Sequence, residues 1–201
     1  MEQAVALQGI RHQFSILEPV NTDERRCVED FIHDVFARRF AAKIDAFLPR
    51  LVATRDASGN VNAAAGYRSA GEERLFLEQY LDRPIEQIID ANYGEAIERT
   101  RIVEVGNLAT VGGRAAIDLV ANLIPHLMVQ GFRWVVFTGN DAVRNLFQRL
   151  HLFPFAICTA DAASLGDSRK VWGSYYDHHP IVMAGRLYDG ATAISLPERR
   201  S

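Results

Sequence analysis

The sequence predicts an α/β (α+β) fold, a mixed but mostly antiparallel twisted sheet with helices on both faces. Three observations predict it. Residues 101–139 run from a strand pattern through a helix to a second strand pattern, the signature of a right-handed parallel crossover. Residues 50–69 read as a hairpin, and the chain closes on two further strand patterns. A chain of 201 residues, 48% apolar and 23% charged, suits one domain that needs no covalent staple.

The elements follow in order. Residues 12–19 (HQFSILEP) read as a first strand closed by Pro19. Asn21 and Glu24 have capping-box spacing, and Val28, Phe31, Ile32, Val35, Phe36, Phe40, Ile44 and Phe47 then recur at helical spacing up to Pro49. LVATR and NVNAAAGYR flank the turn DASG. Residues 71–95 form a helical elaboration, two short helices separated at Pro84. Residues 97–109 (IERTRIVEVGNLA) are a long strand rich in β-branched residues, and a GGR turn leads into a helix from Ala115 to Val129 with a kinking Pro125 inside. GFRWVVFTG is a buried strand, DAVRNLFQRLHL a second amphipathic helix and FAICTA a strand. A polar loop from Asp161 to Pro180 precedes IVMAGRL, the last strand.

Composition narrows the function. A formal charge of −3 argues against nucleic acid as the main partner. Twenty arginines against two lysines, Lys43 and Lys170, suit bidentate contact with phosphate or carboxylate, although biased coding DNA gives the same excess. Cys27 and Cys158 share no motif and read as reduced, buried thiols. The N-terminus has no signal-peptide pattern and no 18-residue apolar run exists, so the expected location is the cytoplasm with no transmembrane segment. There is no G-x-S-x-G elbow, and His178 and His179 lack metal-ligand spacing, so neither serine hydrolysis nor a metal is expected.

The stretch RIVEVGNLATVGGRAAIDLV places two glycines where a strand becomes a helix. The first backbone N–H groups of a helix have no internal partner and carry partial positive charge. A phosphate is the natural guest, with Gly112 and Gly113 allowing close approach, the amides of Arg114, Ala115 and Ala116 lining the cradle, and Arg114 adding charge. The alternative is a tight turn that needs a residue at positive φ.

TVGGRA, residues 110–115, resembles the pyrophosphate loop of the GNAT acyltransferase superfamily. Gly113 and Ala115 match, while Thr110 stands where Arg or Gln is usual. Asn140, followed by Leu146–Phe147, keeps the GNAT spacing of an asparagine and a Leu–Tyr pair, with phenylalanine in place of the tyrosine. GYRSAGEERLFLEQYLDRPIE, VEVGNLA, WVVFTGN and WGSYYDHHPIVMAG together resemble the thermostable hemolysin family, from about Phe31 to Gly185. The layout of GYR, an acidic helix and VEVGNLA is also similar to that of acyl-homoserine-lactone synthases.

These resemblances imply a GNAT-like fold whose thioester donor, acyl-CoA or acyl carrier protein, lies between two splayed strands. The backbone near Leu108 to Thr110 would polarise the thioester carbonyl. Glu104 is the candidate general base and Asn107 would orient substrate. Strand alternation puts Glu104, Gly106 and Leu108 on one face and Asn107 on the other, so both reach the site only if a bulge intervenes near Gly106. A buried Glu104 paired with an arginine is the structural alternative. Glu78 is read either as an acceptor-binding acid or as a solvated helix-face acid, and Arg68 either as a substrate-binding group that meets a carboxylate or as the partner of a neighbouring acid. Tyr175 or Tyr176 would reprotonate the leaving thiolate, the alternative being simple aromatic packing. The leading expectation is an acyltransferase acting on an amine of a small molecule, with no permanently bound cofactor and a possible homodimer. A hemolysin acting directly on membranes and a non-catalytic acyl-CoA binder stay open beside it.

Overall fold

The computed structural model describes residues 16–195. Helix α1 spans Thr22–Phe40 and is capped as its sequence predicts, with Asn21 Oδ1 accepting from Glu24 N at 2.9 Å. The Glu24 carboxylate reaches back to Val20 N instead of completing the box on Asn21. The helix ends earlier than its apolar periodicity suggests. Ala41 turns left-handed at φ 52°, and Lys43 N bonds to Val171 O at 2.6 Å. Ile44 is buried as expected, and Ala42 and Leu48 with it, but from irregular chain, while Phe47 is only half-buried. A partner distant in sequence has overridden the local pattern.

Strands β1 (Arg50–Arg55) and β2 (Val61–Ser69) form the hairpin, closed by Asp56 Oδ1 accepting from Ser58 N and Asn60 N. A 3-10 turn at Phe76–Tyr80 and helix α2 (Ile85–Tyr93) follow. Then come β3 (Ile102–Thr110), α3 (Gly113–Val129) and β4 (Trp134–Gly139), with α3 continuing unbroken through Pro125. Helix α4 (Asp141–Arg149), β5 (Phe155–Thr159), 3-10 segments within 162–178 and β6 (Ile181–Arg186) complete the sheet. The chain does not close on that strand: α5 (Leu187–Ser195) follows. Gly190 weakens its helical signal, yet a Cβ there would stand 3.0 Å from Ile124 Cδ1, so the glycine lets α5 lie close against α3.

The strand order is β1-β2-β3-β4-β6-β5, with β3–β4 the parallel pair and the others antiparallel. Period-two alternation divides the core. Val52, Ala63 and Ala65 pack with α3, while Leu51, Ala53 and Ala64 pack with α1 on the opposite face. Of the predicted first strand, residues 12–15 lie outside the described part, and Leu17 makes a single bridge to Ala53. Tyr67 secures that segment by donating to Glu18 Oε1 at 2.6 Å, with His126 Nε2 3.0 Å from the same oxygen. Cys27 is exposed on α1, correcting the expectation that both thiols are buried. Among the described residues, no helix is long and apolar enough to cross a membrane.

Two irregularities in β3 position the site. Residues Asn107 and Leu108 stand opposite Ala65 alone, between the pairs Gly66–Gly106 and Ala64–Ala109, so β3 carries a bulge. Asn107 takes the left-handed conformation there at φ 51°, a role Asn tolerates better than most residues. The bulge falls one residue beyond the glycine that the sequence offered for it. Pairing between β3 and β4 stops at Val105–Phe137, and the two strands separate beyond it.

Candidate active site

A cavity of about 1060 Å³ occupies the gap where β3 and β4 part. From β3 and the turn after it, Glu104, Asn107, Leu108, Thr110, Gly112 and Gly113 line it; Asn140, Tyr175 and Tyr176 line it from the far side. The bulge is what lets Glu104 and Asn107 reach the same space. Arg68, Glu78, Arg114 and Ala115 do not line it.

The helix end at the glycines is open. Gly112 is the N-cap of α3 and supplies no side-chain cap, so the first-turn amides have no acceptor from that residue. The positive-φ alternative does not apply: Gly112 is extended at φ −178°, which any residue adopts. A Cβ on Gly112 or Gly113 would meet no protein atom within 4 Å. Neither packing nor backbone conformation calls for glycine there, while a ligand approaching the amides would. Arg114 is exposed and pairs with Asp118 at 3.0 Å, and Ala115 turns into the core. Asn140 caps α4, its Oδ1 accepting from Val143 N at 3.2 Å.

Glu104 is buried at 4% exposure, and its two oxygens accept from Leu77 N at 2.8 Å and Phe76 N at 2.9 Å. Burial pushes its carboxyl above the ordinary range, and those bonds and the charge of Arg68 only partly oppose this. Arg68 Nε lies 3.2 Å from Glu104 Oε2, but its N–H makes no hydrogen bond and is buried. Arg68 therefore faces Glu104 and Glu73 and does not line the cavity.

Glu78 differs from both of its readings. It is neither solvated nor at the cavity, being 6% exposed and held by Leu75 N, Ile85 N and a two-pronged contact from Arg99 at 2.6 and 2.7 Å. Burial favours its neutral form, but the bonds from Arg99 and the two backbone amides outweigh that and hold its carboxyl below the ordinary range. This pair ties α2 and the 3-10 turn together, and the turn in turn seats Glu104. Arg99→Ala is expected to cost about 2–3 kcal/mol by leaving Glu78 charged and half-satisfied. A carboxylate whose folded pKa is depressed stabilises above its unfolded pKa, and that stability is lost as pH falls through the folded value. The gap between wild-type and variant urea midpoints should therefore narrow as pH drops from 7 to below the carboxylate range.

Tyr175 Oη donates to Thr138 O at 3.3 Å, at the end of β4 beside the splay, and burial raises its pKa. Tyr176 is pushed up to about 12 by burial, which its bond from Tyr80 opposes, the two hydroxyls lying 2.5 Å apart. Sequence reasoning missed the rest of this wall. Phe36, Phe40, Phe76, Tyr80 and Trp172 also line the cavity, although the helical spacing of Phe36 and Phe40 read only as core. The loop carrying Trp172 and Tyr175 is strapped to the end of α1 by Ser174 N donating to Phe40 O at 2.8 Å. Among the described residues, no three His, Cys, Asp or Glu side chains gather to hold a metal.

Residues 19–191 match the thermostable hemolysin family. The chain belongs to that family. No curated protein matches the sequence. Among solved structures, FeeM, an N-acyl amino acid synthase from uncultured soil microbes, superposes with TM-score 0.61 at 11% identity, over 89% of this chain and 92% of its own. The acyl-homoserine-lactone synthase LasI gives TM-score 0.59 at 11% identity, over 93% and 98%. MesI, a CoA-dependent acyl-homoserine-lactone synthase, gives 0.52 at 14% identity, over 85% and 86%. These neighbours are GNAT-like acyltransferases, and the likeness establishes the fold of this hemolysin-family chain as GNAT-like.

Proposed function

We propose that this thermostable hemolysin-family protein is an N-acyltransferase. It moves an acyl group from a pantetheine thioester, acyl-CoA or acyl carrier protein, to an amine of a small molecule. The observation that carries this reading is the parting of β3 and β4 after Val105–Phe137, with a cavity that runs from the bulge to the uncapped amides at Gly113. Those amides receive the donor phosphate. The pantetheine arm lies in the gap, with Asn107 and the backbone from Leu108 to Thr110 beside the thioester carbonyl and Asn140 facing from the other side. Val120, Leu123, Ile124, Leu127 and Leu152 also line the cavity and suit a hydrocarbon chain.

In the transfer, the amine nitrogen bonds to the carbonyl carbon and the C–S bond breaks. Glu104 takes the amine proton, and its raised pKa makes it a stronger base than an ordinary carboxylate. Tyr175 gives a proton to the departing thiolate. A backbone N–H at the bulge stabilises the oxyanion between the two steps.

The test is thiol release from decanoyl-CoA and from decanoyl carrier protein with a panel of primary amines, each N-acyl product checked by mass. Amine-dependent release from either donor supports the reading. Saturable donor binding without release returns the protein to a silent binder, and no binding overturns the reading. Tyr175→Phe is expected to lower kcat by roughly 100-fold with little change in donor KM. An unchanged kcat removes Tyr175 from the mechanism. The apolar stripe of α1 is buried against the sheet, so that helix offers no free face to a bilayer. An N-acyl amine with a long chain is itself a surfactant, and producing cells would yield lytic extracts while the purified protein lyses nothing.

A further inference from the structure

The amides of Phe76 and Leu77 hold both oxygens of Glu104, so its position does not depend on a neighbouring side chain. Arg68 stands directly across the β2–β3 pair from it, with Nε 3.2 Å from Glu104 Oε2. Yet the guanidinium forms no hydrogen bond among the described residues, and its Nε is buried without a partner. What Arg68 supplies to Glu104 is therefore charge, not a directed bond. On its other side the same guanidinium meets Glu73, with Nη1 3.4 Å from Oε2. The Glu73 side chain is 50% exposed, that of Arg68 17% and that of Glu104 6%, so the three charges run from the surface to the interior.

The other groups around this carboxylate do not take the same part. Glu78 on the 3-10 turn is a like charge, and Arg99 covers it. Tyr80 on that turn is kept neutral by burial and by its bond with Tyr176. Strand β4 presents the apolar Val136 opposite Glu104. Arg38 and Arg39 of α1 line the same cavity but are exposed, where water and salt screen them. A desolvated carboxylate favours its neutral form unless a cation stands close, and Arg68 is that cation.

We infer that Arg68 is a positioning residue that acts on Glu104 through charge: it lowers the cost of ionising the buried carboxylate, and Glu73 at the surface weakens that hold. The inference rests on the acyltransferase reading only for the use of Glu104 as the base, since the coupling of the three charges belongs to the folded chain itself. Without Arg68, Glu104 is driven toward its protonated form, which cannot take a proton from an amine. Without Glu73, the guanidinium faces one carboxylate instead of two, and the ionised form of Glu104 gains.

The ionisation of Glu104 can be followed with neither donor nor acceptor present. Carbon-13 NMR of the glutamate carboxyls in the full chain reads its titration midpoint, with Glu104→Gln identifying the resonance. Arg68→Met removes the charge and keeps the length, and its midpoint is expected at least about one pH unit above wild type. Because no bidentate contact is lost, Arg68→Lys should return most of that shift. Glu73→Gln should move the midpoint the other way, by roughly a few tenths of a pH unit. Where transfer is measured, the acid limb of kcat/KM should move with the midpoint in each variant. A midpoint that does not rise in Arg68→Met, or does not fall in Glu73→Gln, overturns the inference. Should Arg68→Met not fold, the surface change Glu73→Gln decides alone. If the midpoints move as expected and no amine is acylated, the inference stands and the acyltransferase reading fails. If amines are acylated and the midpoints stay together, the acyltransferase reading stands and the inference fails.

Discussion

Gly113→Glu is expected to weaken donor binding by at least about 100-fold and to leave the melting temperature unchanged or slightly higher. The two halves of that result have separate causes. A glutamate at the first position of α3 would lie beside the amides proposed to hold the donor phosphate, and juxtaposed like charges cost several kcal/mol. The same carboxylate is favourable to the helix, because it faces the positive end of the dipole. The new side chain meets no protein atom within 4 Å of its Cβ, and Gly113 is already helical. Gly113→Ala separates charge from bulk: it should be up to about 1 kcal/mol more stable, with a far smaller loss of affinity. Calorimetric titration with an acyl-CoA, beside a thermal melt, measures both. Equal affinities in wild type and Gly113→Glu would leave the glycines without a ligand and take the phosphate away from this loop.

Gly173→Ala should destabilise the protein by about 4 kcal/mol or more, an exceptional magnitude for a single change that here combines backbone strain with steric overlap. Gly173 sits at φ 54°, ψ −128°, a region that side-chain-bearing residues do not populate. A Cβ there would be 2.0 Å from Phe40 O, the oxygen that receives Ser174 N. Relief of that overlap requires the strap to leave α1, which also removes Trp172 and Tyr175 from Phe36 and Phe40. The urea midpoint should fall sharply, and tryptophan emission should report Trp172 entering water before the sheet unfolds. A variant as stable as wild type would show that the strap has another way to seat itself.

Contrast between these glycines shows what can be read without coordinates. Gly112 and Gly113 announce themselves because they interrupt a strand-to-helix junction, a local pattern. Gly173, between Trp172 and Ser174, carries no local signal, and its necessity comes from a carbonyl on a helix more than a hundred residues earlier in the chain. Glu104 was legible as an acid on the right strand, but its seating on the amides of Phe76 and Leu77 was not. Glu78 was misread for the same reason: amphipathic spacing says which face of a turn is polar, and cannot say that Arg99 will cover it. The bulge was expected near Gly106, yet Asn107 took the strained conformation and brought its own side chain to Leu48 N at 2.9 Å.

By itself the sequence determined the hairpin, the capped start of α1, the crossover from β3 through α3 to β4, and the open helix end at Gly113. Each rests on hydrogen bonds or apolar spacing within a few residues, which composition and order specify directly. Only the tertiary structure decided where α1 stops, how β3 and β4 part, and that three distant segments meet as an aromatic cluster. Those features depend on contacts such as Ser174 to Phe40, 134 residues apart, whose energy exists only once the sheet has brought the partners together.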